Sequence, residues 1–218
     1  MTGSGTTDST YAAGGIRLSV IIPTYNCRDY LGECIQSVLR QLPPDCELIL
    51  SDDGSDDGTA ELLPQYEGAG NVRAVYHTHR GASAARNAGL DVAAGEFVTF
   101  IDCDDCMREG FLCESLPMLD DRTDLYIFGI ERIPLSGDRE LWTVRDSVYP
   151  DVSAFADEYV RTRQLMIYSN CNMKRIAQNS SSAARVEPRM RIVPRMPWSV
   201  RCSPRSRAER RMAVTGSM

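Results

Sequence analysis

The chain has 218 residues, 43% hydrophobic and 25% charged, with a formal net charge of −6. That is an ordinary globular composition, long enough for one domain with a substantial core. Residues 1–173 hold 13 Arg and 28 acidic residues but no Lys, which excludes from this body a P-loop nucleotidase, a protein kinase and a phospho-acceptor receiver, whose chemistry each needs a Lys.

Residues 1–15 are small and polar, without the basic start and apolar middle of a signal peptide. A disordered N-terminal segment and a cytoplasmic location are expected, since no apolar run approaches the roughly 20 residues of a membrane span. Residues 16–23 are apolar and β-branched and predict a buried strand ended by Pro23, with Thr24, Tyr25 and Asn26 as the turn. Tyr30, Leu31, Cys34, Ile35, Val38 and Leu39 lie on one face of a predicted helix from Arg28 to Gln41, which Pro43 and Pro44 stop.

Residues 47–51 predict a second strand. Its tip carries Asp52 and Asp53, then Gly54-Ser55-Asp56-Asp57-Gly58-Thr59. Turn chemistry explains Gly54 and Asp56–Gly58, because Gly accepts positive φ and Asp caps a following helix. It explains two adjacent acids at a strand tip less well. A short helix is expected over 59–66 and a third strand over 72–77. The stretch from His79 to Gly89 predicts a helix of small residues that can approach a sheet closely. Arg80 and Arg86 on it are candidates for an anionic ligand, or neutralise the acids nearby. His77 and His79 read as ordinary residues.

A strand over 96–101 runs into Asp102, Asp104 and Asp105. Three acids so close repel one another. A hard divalent cation with oxygen ligands removes the repulsion and can hold a phosphate; an acidic turn capping the next helix is the competing explanation. A helix over 109–119, a strand over 124–130, a short β segment over 139–145 and a helix over 152–166 follow. The β-α-β-α-β-α-β order predicts an α/β fold, a mostly parallel sheet with helices on both faces. Acids then end two strands on one sheet edge, where ligands bind in such sheets.

Cysteines occupy positions 27, 34, 46, 103, 106, 113, 171 and 202. They read as reduced. Cys103 and Cys106 have C-x-x-C spacing, but no second pair or His completes a zinc site. Residues 174–218 carry 11 basic and 2 acidic residues and four prolines at 188, 194, 197 and 204. An irregular basic tail is expected there. It is either an arm for nucleic acid or an anionic membrane, or a stretch translated out of frame from GC-rich coding DNA. The second explanation is favoured, since Trp198 stands alone where single-strand binding needs interleaved aromatics.

Together these stretches resemble the family 2 glycosyltransferases of the GT-A (Rossmann-like) fold. The motifs are Val20-Ile21-Ile22-Pro23-Thr24-Tyr25-Asn26, Asp52 to Thr59, Gly81 with Ala85-Arg86-Asn87 and Gly89, Gly95-Glu96, and Phe100 to Asp105. Ser169-Asn170-Cys171-Asn172 looks like the segment before the family's acceptor half. The resemblance implies transfer of a sugar, with inversion, from a nucleotide diphosphate donor to a glycan or lipid-linked acceptor hydroxyl in cell-surface polysaccharide or glycan synthesis. It implies that Pro23, Thr24, Tyr25 and Asn26 wrap the nucleotide and that Asp53, with Asp52, bonds the base. Arg86 would support the nucleotide side. Asp102 would lie near the ribose and Asp104 on Mn²⁺ or Mg²⁺, both within the family's D-x-D motif. Residues 16–173 would be the donor-binding domain, at the inner face of the membrane as a peripheral protein, with no nucleic-acid partner. The family's general base falls in the Arg-rich tail, where neither Glu187 nor Glu209 matches it. The catalytic base is therefore unassigned and weak transfer is expected. The alternative is a non-catalytic module that binds nucleotide and metal and docks a partner or nucleic acid through the basic tail.

Overall fold

β1 (Leu18–Thr24) is the axis of the sheet, and all seven of its residues are buried. The computed structural model of the chain describes residues 15–68, 70–121, 123, 125–132, 140–142, 147–149, 153–154, 172–175 and 190–200. The expected N-terminal segment up to residue 14, most of the helix expected over 152–166, Ser169–Cys171 and most of the tail lie outside the described residues.

β1 pairs in parallel with β2 (Cys46–Asp52) on one side and β4 (Phe97–Phe100) on the other, and β3 (Val72–Tyr76) pairs in parallel with β2. Successive side chains of a strand point to opposite faces, and β1 uses both. Leu18, Val20 and Ile22 join Leu31, Cys34, Ile35 and Val38 of α1 (Arg28–Leu39) in one core, while Ile21 joins Ile49 and Val98 in a second under Leu90 and Val92. The latter two belong to α2 (Ala82–Val92). The predicted α/β sandwich is therefore present, with helices on both faces.

Beyond β4 the sheet turns mixed. β8 (Asn172–Arg175) runs antiparallel between β4 and β5 (Leu125–Arg132). β9 (Met190–Val200) pairs in parallel with β5 and antiparallel with β7 (Ser147–Tyr149); β6 (Glu140–Trp142) pairs with β5. The predicted helices at 59–66 and 109–119 are a 3₁₀ turn over Ala60–Gln65, and α3 (Phe111–Ser115) with a 3₁₀ turn over Leu116–Met118.

Two expectations are corrected. Pro23 does not end β1; it pairs with Ser51 inside the strand. Alternate residues of a strand serve opposite neighbours. Ile21 O accepts from Ile101 N on the β4 side, whereas Thr24 O accepts from Asp53 N on the β2 side. Pro23 is in step with Ile21, so its missing N–H faces the β4 side, where the ladder has already ended at the Ile21–Phe100 pair. No ladder bond is lost. The second correction concerns the tail expected to be irregular. Met190–Val200 is a strand, and its register shifts between the Phe128–Val193 and Gly129–Pro197 pairs. That irregularity accommodates Pro194, which a regular ladder would not.

The small residues of α2 and the turn before β4 bring backbones close to β1, as expected. A Cβ on Gly89 would meet Ile21 Cγ2 at 2.5 Å, and one on Gly95 would meet Ser19 N at 2.5 Å and Leu18 C at 2.8 Å. A side-chain methyl can yield where a strand backbone cannot. Gly89→Ala is expected to cost about 1–3 kcal/mol, net of its helix-propensity gain. Gly95→Ala is expected to cost more, and urea unfolding of the two variants checks the order. Gly95 also sits in a buried polar knot. Its N–H donates to Ser19 Oγ (2.9 Å), Ser19 Oγ donates to Glu47 Oε1 (2.5 Å), and Ala94 N donates to the same oxygen (2.6 Å). This satisfies a carboxylate that burial would otherwise make costly.

Candidate functional site

The carboxyl ends of β1, β2 and β4 lie side by side, with Thr24 in register with Asp52 and Ile21 with Phe100. A pocket of about 540 Å³ opens at this edge. Pro23, Thr24 and Tyr25 line it from the end of β1, Asp53 from β2, and Asp102, Cys103 and Asp104 from the loop after β4; His79, Ala82, Ala85 and Arg86 close the α2 side. The two acidic strand tips thus meet at one edge, as the strand order predicted.

The loop over Asp52–Thr59 is a brace. Asp52 is buried; its Oδ1 accepts from Thr24 Oγ1 (3.1 Å) and Ser55 Oγ (2.6 Å), and its Oδ2 from Ser55 N (3.0 Å). Asn26 turns the chain with φ 47°, a left-handed value that Asn tolerates. Its side chain donates to Asp56 Oδ1 (2.9 Å) and accepts from Asp56 N (3.0 Å). Asp52 and Asn26 therefore hold the loop that shapes the pocket and are not among the residues that line it. Asp57 Oδ2 accepts from Arg28 N (3.2 Å) and Thr59 Oγ1 from Cys27 N (2.9 Å). These supply the start of α1 with acceptors that its own side chains do not.

Asp53 is 1% exposed yet lines the pocket. Its oxygens accept from Arg80 N and Gly81 N, both at 2.8 Å, and lie 3.2 Å from His77 Nδ1 and 2.8 Å from His79 Nδ1. Burial alone raises its pKa. The donors from Arg80 and Gly81, with His79 and His77, outweigh burial and hold it below the ordinary carboxylate value. A depressed carboxylate stabilises the fold above its unfolded pKa, about 3.9, and loses that contribution as pH falls through the lower folded value. Urea midpoints for wild type are therefore expected to fall below about pH 4 more steeply than those of Asp53→Asn.

His79 is the residue the sequence reading passed over. Its ring stacks on Tyr25, centroids 4.1 Å apart and planes 20° apart, and it belongs to the pocket wall. No local pattern marks it, because its role depends on two residues more than 25 positions away. Ala82, Ala85 and Cys103 also line the pocket, none of them expected as a nucleotide or metal contact from the sequence. Arg80 contributes its backbone N–H to Asp53 and is not among the residues that line the pocket.

Arg86 donates to Asp102 Oδ1 at 2.6 Å, with the two side chains 34% and 38% exposed. A bridge this open is worth at most about 1 kcal/mol, so a ligand can break it cheaply. Asp105 N donates to Asp102 O (2.9 Å), closing the turn that carries Asp104 into the pocket. Cys34 lies beneath this turn, with Sγ 3.6 Å from Asp102 O. Burial first, then Cys103, Cys106, Asp105 and Asp104, raise its thiol well above the usual value, so it stays protonated. Cys113 is exposed on α3. Among the described residues no three His, Cys, Asp or Glu side chains form a ready metal cage, and no helix is long and apolar enough to cross a membrane.

The result is a mostly parallel sheet between two helix layers, with acids and an arginine gathered at its strand tips. The glycosyl transferase family 2 model matches residues 19–176, and the chain belongs to that family. TuaG of Bacillus subtilis (strain 168), a glycosyltransferase assigned to teichuronic acid biosynthesis, is 40% identical over 113 residues, covering 51% of this chain and 45% of TuaG. Glycosyltransferase GlyG of Streptococcus pneumoniae is 38% identical over 97 residues, covering 44% of this chain and 32% of GlyG. The match thus spans less than half the length of either relative. The crystal structure of S. aureus TarS 1–349 in complex with UDP-GlcNAc superposes with a TM-score of 0.65 at 20% identity, covering 85% of this chain and 58% of that one. At that identity the likeness establishes the fold, which is GT-A.

Proposed function

We propose that the chain binds the nucleoside diphosphate of a sugar donor and belongs to an inverting glycosyltransferase of cell-surface polysaccharide synthesis. The observation that carries this is the convergence of Tyr25, Asp53, Arg86, Asp102 and Asp104 on one pocket at the strand tips. The match to a teichuronic acid enzyme supports the substrate class. The acceptor would be a glycan or lipid-linked hydroxyl presented at the cytoplasmic face of the membrane.

The pocket divides by chemistry. Tyr25 and His79 offer flat aromatic surface beside Asp53, suited to a nucleoside. Arg86 can exchange its bridge to Asp102 for a phosphate oxygen. Asp102 and Asp104 present hard carboxylate oxygens from one turn into the same pocket, a donor set that fits Mn²⁺ or Mg²⁺, which keep waters and phosphates as their other ligands. Bound there, the cation would supply positive charge to the departing diphosphate.

We assign no general base for the acceptor proton. Donor binding is the expected behaviour of this chain. The family match ends at 176, just past β8 (Asn172–Arg175), which is paired within the sheet. An out-of-frame origin for the tail beyond it is tested by reading its coding DNA in the other two frames for an acidic Glu-Asp motif. Isothermal titration of the chain with UDP, GDP, CDP, ADP and dTDP, each with Mn²⁺, tests the function. Micromolar or tighter binding of at least one supports it, and binding of none overturns it.

A further inference from the structure

Beside β1 the ladder closes with Ile101 N donating to Ile21 O at 3.0 Å. Residues 102–110 then run to α3 in turns and irregular backbone, carrying Asp102 and Asp104. A row of polar groups on one side of α1 follows this stretch. Cys34 Sγ lies 3.6 Å from Asp102 O, and Ser37 Oγ accepts from Met107 N at 2.9 Å. Gln41, just past the helix, donates from Nε2 to Arg108 O at 2.9 Å and accepts at Oε1 from Leu112 N at 3.1 Å.

Both polar side chains are engaged on two sides. Ser37 Oγ also donates to Cys34 O at 2.7 Å, and Gln41 Nε2 to Ser37 O at 2.9 Å. Gln41 therefore sets its amide hydrogens on two carbonyls and its oxygen on an N–H. The reversed amide would place like against like at all three. Capping the helix end would need only the bond to Ser37 O. The bonds to Arg108 and Leu112 tie α1 to the far side of the acidic turn.

The anchor points are close on the helix and distant along the loop. Cys34 and Ser37 differ by about 4.5 Å of helical rise. The backbone from residue 102 to residue 107 could reach about 17 Å if extended. Holding both ends against one helix folds the excess into the turn that Asp105 N closes on Asp102 O, with Asp104 in the pocket wall. Asp102 and Asp104 carry like charge and repel. A cation meets them together at low cost only where the backbone holds the turn in advance.

We infer that Ser37 and Gln41 are positioning residues for the cation: through Met107, Arg108 and Leu112 they keep the Asp102–Asp104 turn in its binding shape. The inference rests on the reading of that turn as the Mn²⁺ or Mg²⁺ site.

The test is titration of wild type, Ser37→Ala, Gln41→Ala and Ile35→Val with the nucleoside diphosphate that wild type binds best, with and without Mn²⁺. Thermal unfolding and amide hydrogen exchange of the metal-free chains accompany it. Loss of an outer-shell partner weakens metal binding by about 10–100-fold. Ser37 and Gln41 act one step further out, so the affinity gain from Mn²⁺ is expected to fall about tenfold in Gln41→Ala and less in Ser37→Ala. Affinity without Mn²⁺ stays as in wild type. Exchange at Asp105 N, whose bond is to Asp102 O within the turn, is expected to quicken in both variants. Ile35→Val truncates the buried side of the same helix and leaves the bonds to the loop in place. It is expected to lower the unfolding midpoint and keep the Mn²⁺ gain. An equal loss of that gain in Ile35→Val overturns the inference, because general loosening would then account for it. Should Gln41→Ala fail to fold, Ser37→Ala carries the test, since the helix preference of Ala offsets part of the lost bond. If wild type shows no Mn²⁺ gain, the metal reading fails and this inference falls with it; a wild-type gain that both variants keep overturns the inference alone.

Discussion

Asp104→Asn is expected to remove the Mn²⁺-dependent part of nucleoside diphosphate binding, a loss of about 100-fold, while the chain stays folded. Asp104 reaches the pocket from the turn closed by Asp105 N on Asp102 O, outside both hydrophobic cores. An amide of the same shape keeps the turn and removes the charge that a hard cation needs. Arg86→Ala is a useful contrast. It breaks a bridge to Asp102 worth at most about 1 kcal/mol, so stability changes little. Titration with and without Mn²⁺, beside thermal unfolding of each variant, separates the two effects.

Asp53→Ala is expected to be the most destabilising change at the site, by about 2–4 kcal/mol. The carboxylate is the acceptor for Arg80 N and Gly81 N and the partner of both histidines. Removing it leaves donors in a partly buried loop without their acceptor, and that penalty exceeds the modest net gain of an ordinary hydrogen bond. The loop it holds carries His79 and leads into α2, so the pocket wall loosens as well. Asp53→Asn keeps one acceptor oxygen and is expected to fall between wild type and Asp53→Ala. Urea unfolding at pH 7 gives the order.

Much of the fold was legible because its signals are local. A β-branched run marked β1 and a short apolar run β2, helical spacing marked α1, and the strand–helix alternation implied a mostly parallel sheet with both faces covered. The acidic site was legible for the same reason, since Asp53, Asp102 and Asp104 end strands that topology places on one edge. What the sequence did not show depends on long-range contacts. Asp52 and Asp53 are neighbours with the same side-chain chemistry, yet Asp52 turns to Thr24 and Ser55 and Asp53 to the loop before α2. Pro23 looked like a strand terminator because the sequence does not show that β4 stops short beside it. Met190–Val200 alternates only in part, broken by Val193, Pro194 and Pro197, so its pairing with β5 carried no clear signal in a basic, proline-rich stretch. His79 carried no pattern at all, because only folding brings Tyr25 and Asp53 to it.

The strand-tip acids are most directly tested by a crystal structure of the chain with Mn²⁺ and the nucleoside diphosphate it binds best, collected at the manganese absorption edge. The expected result is an anomalous peak in contact with Asp104 and with the diphosphate, and the base against the Tyr25–His79 pair. A nucleotide seated elsewhere, or seated in this pocket with manganese touching neither Asp102 nor Asp104, would contradict it.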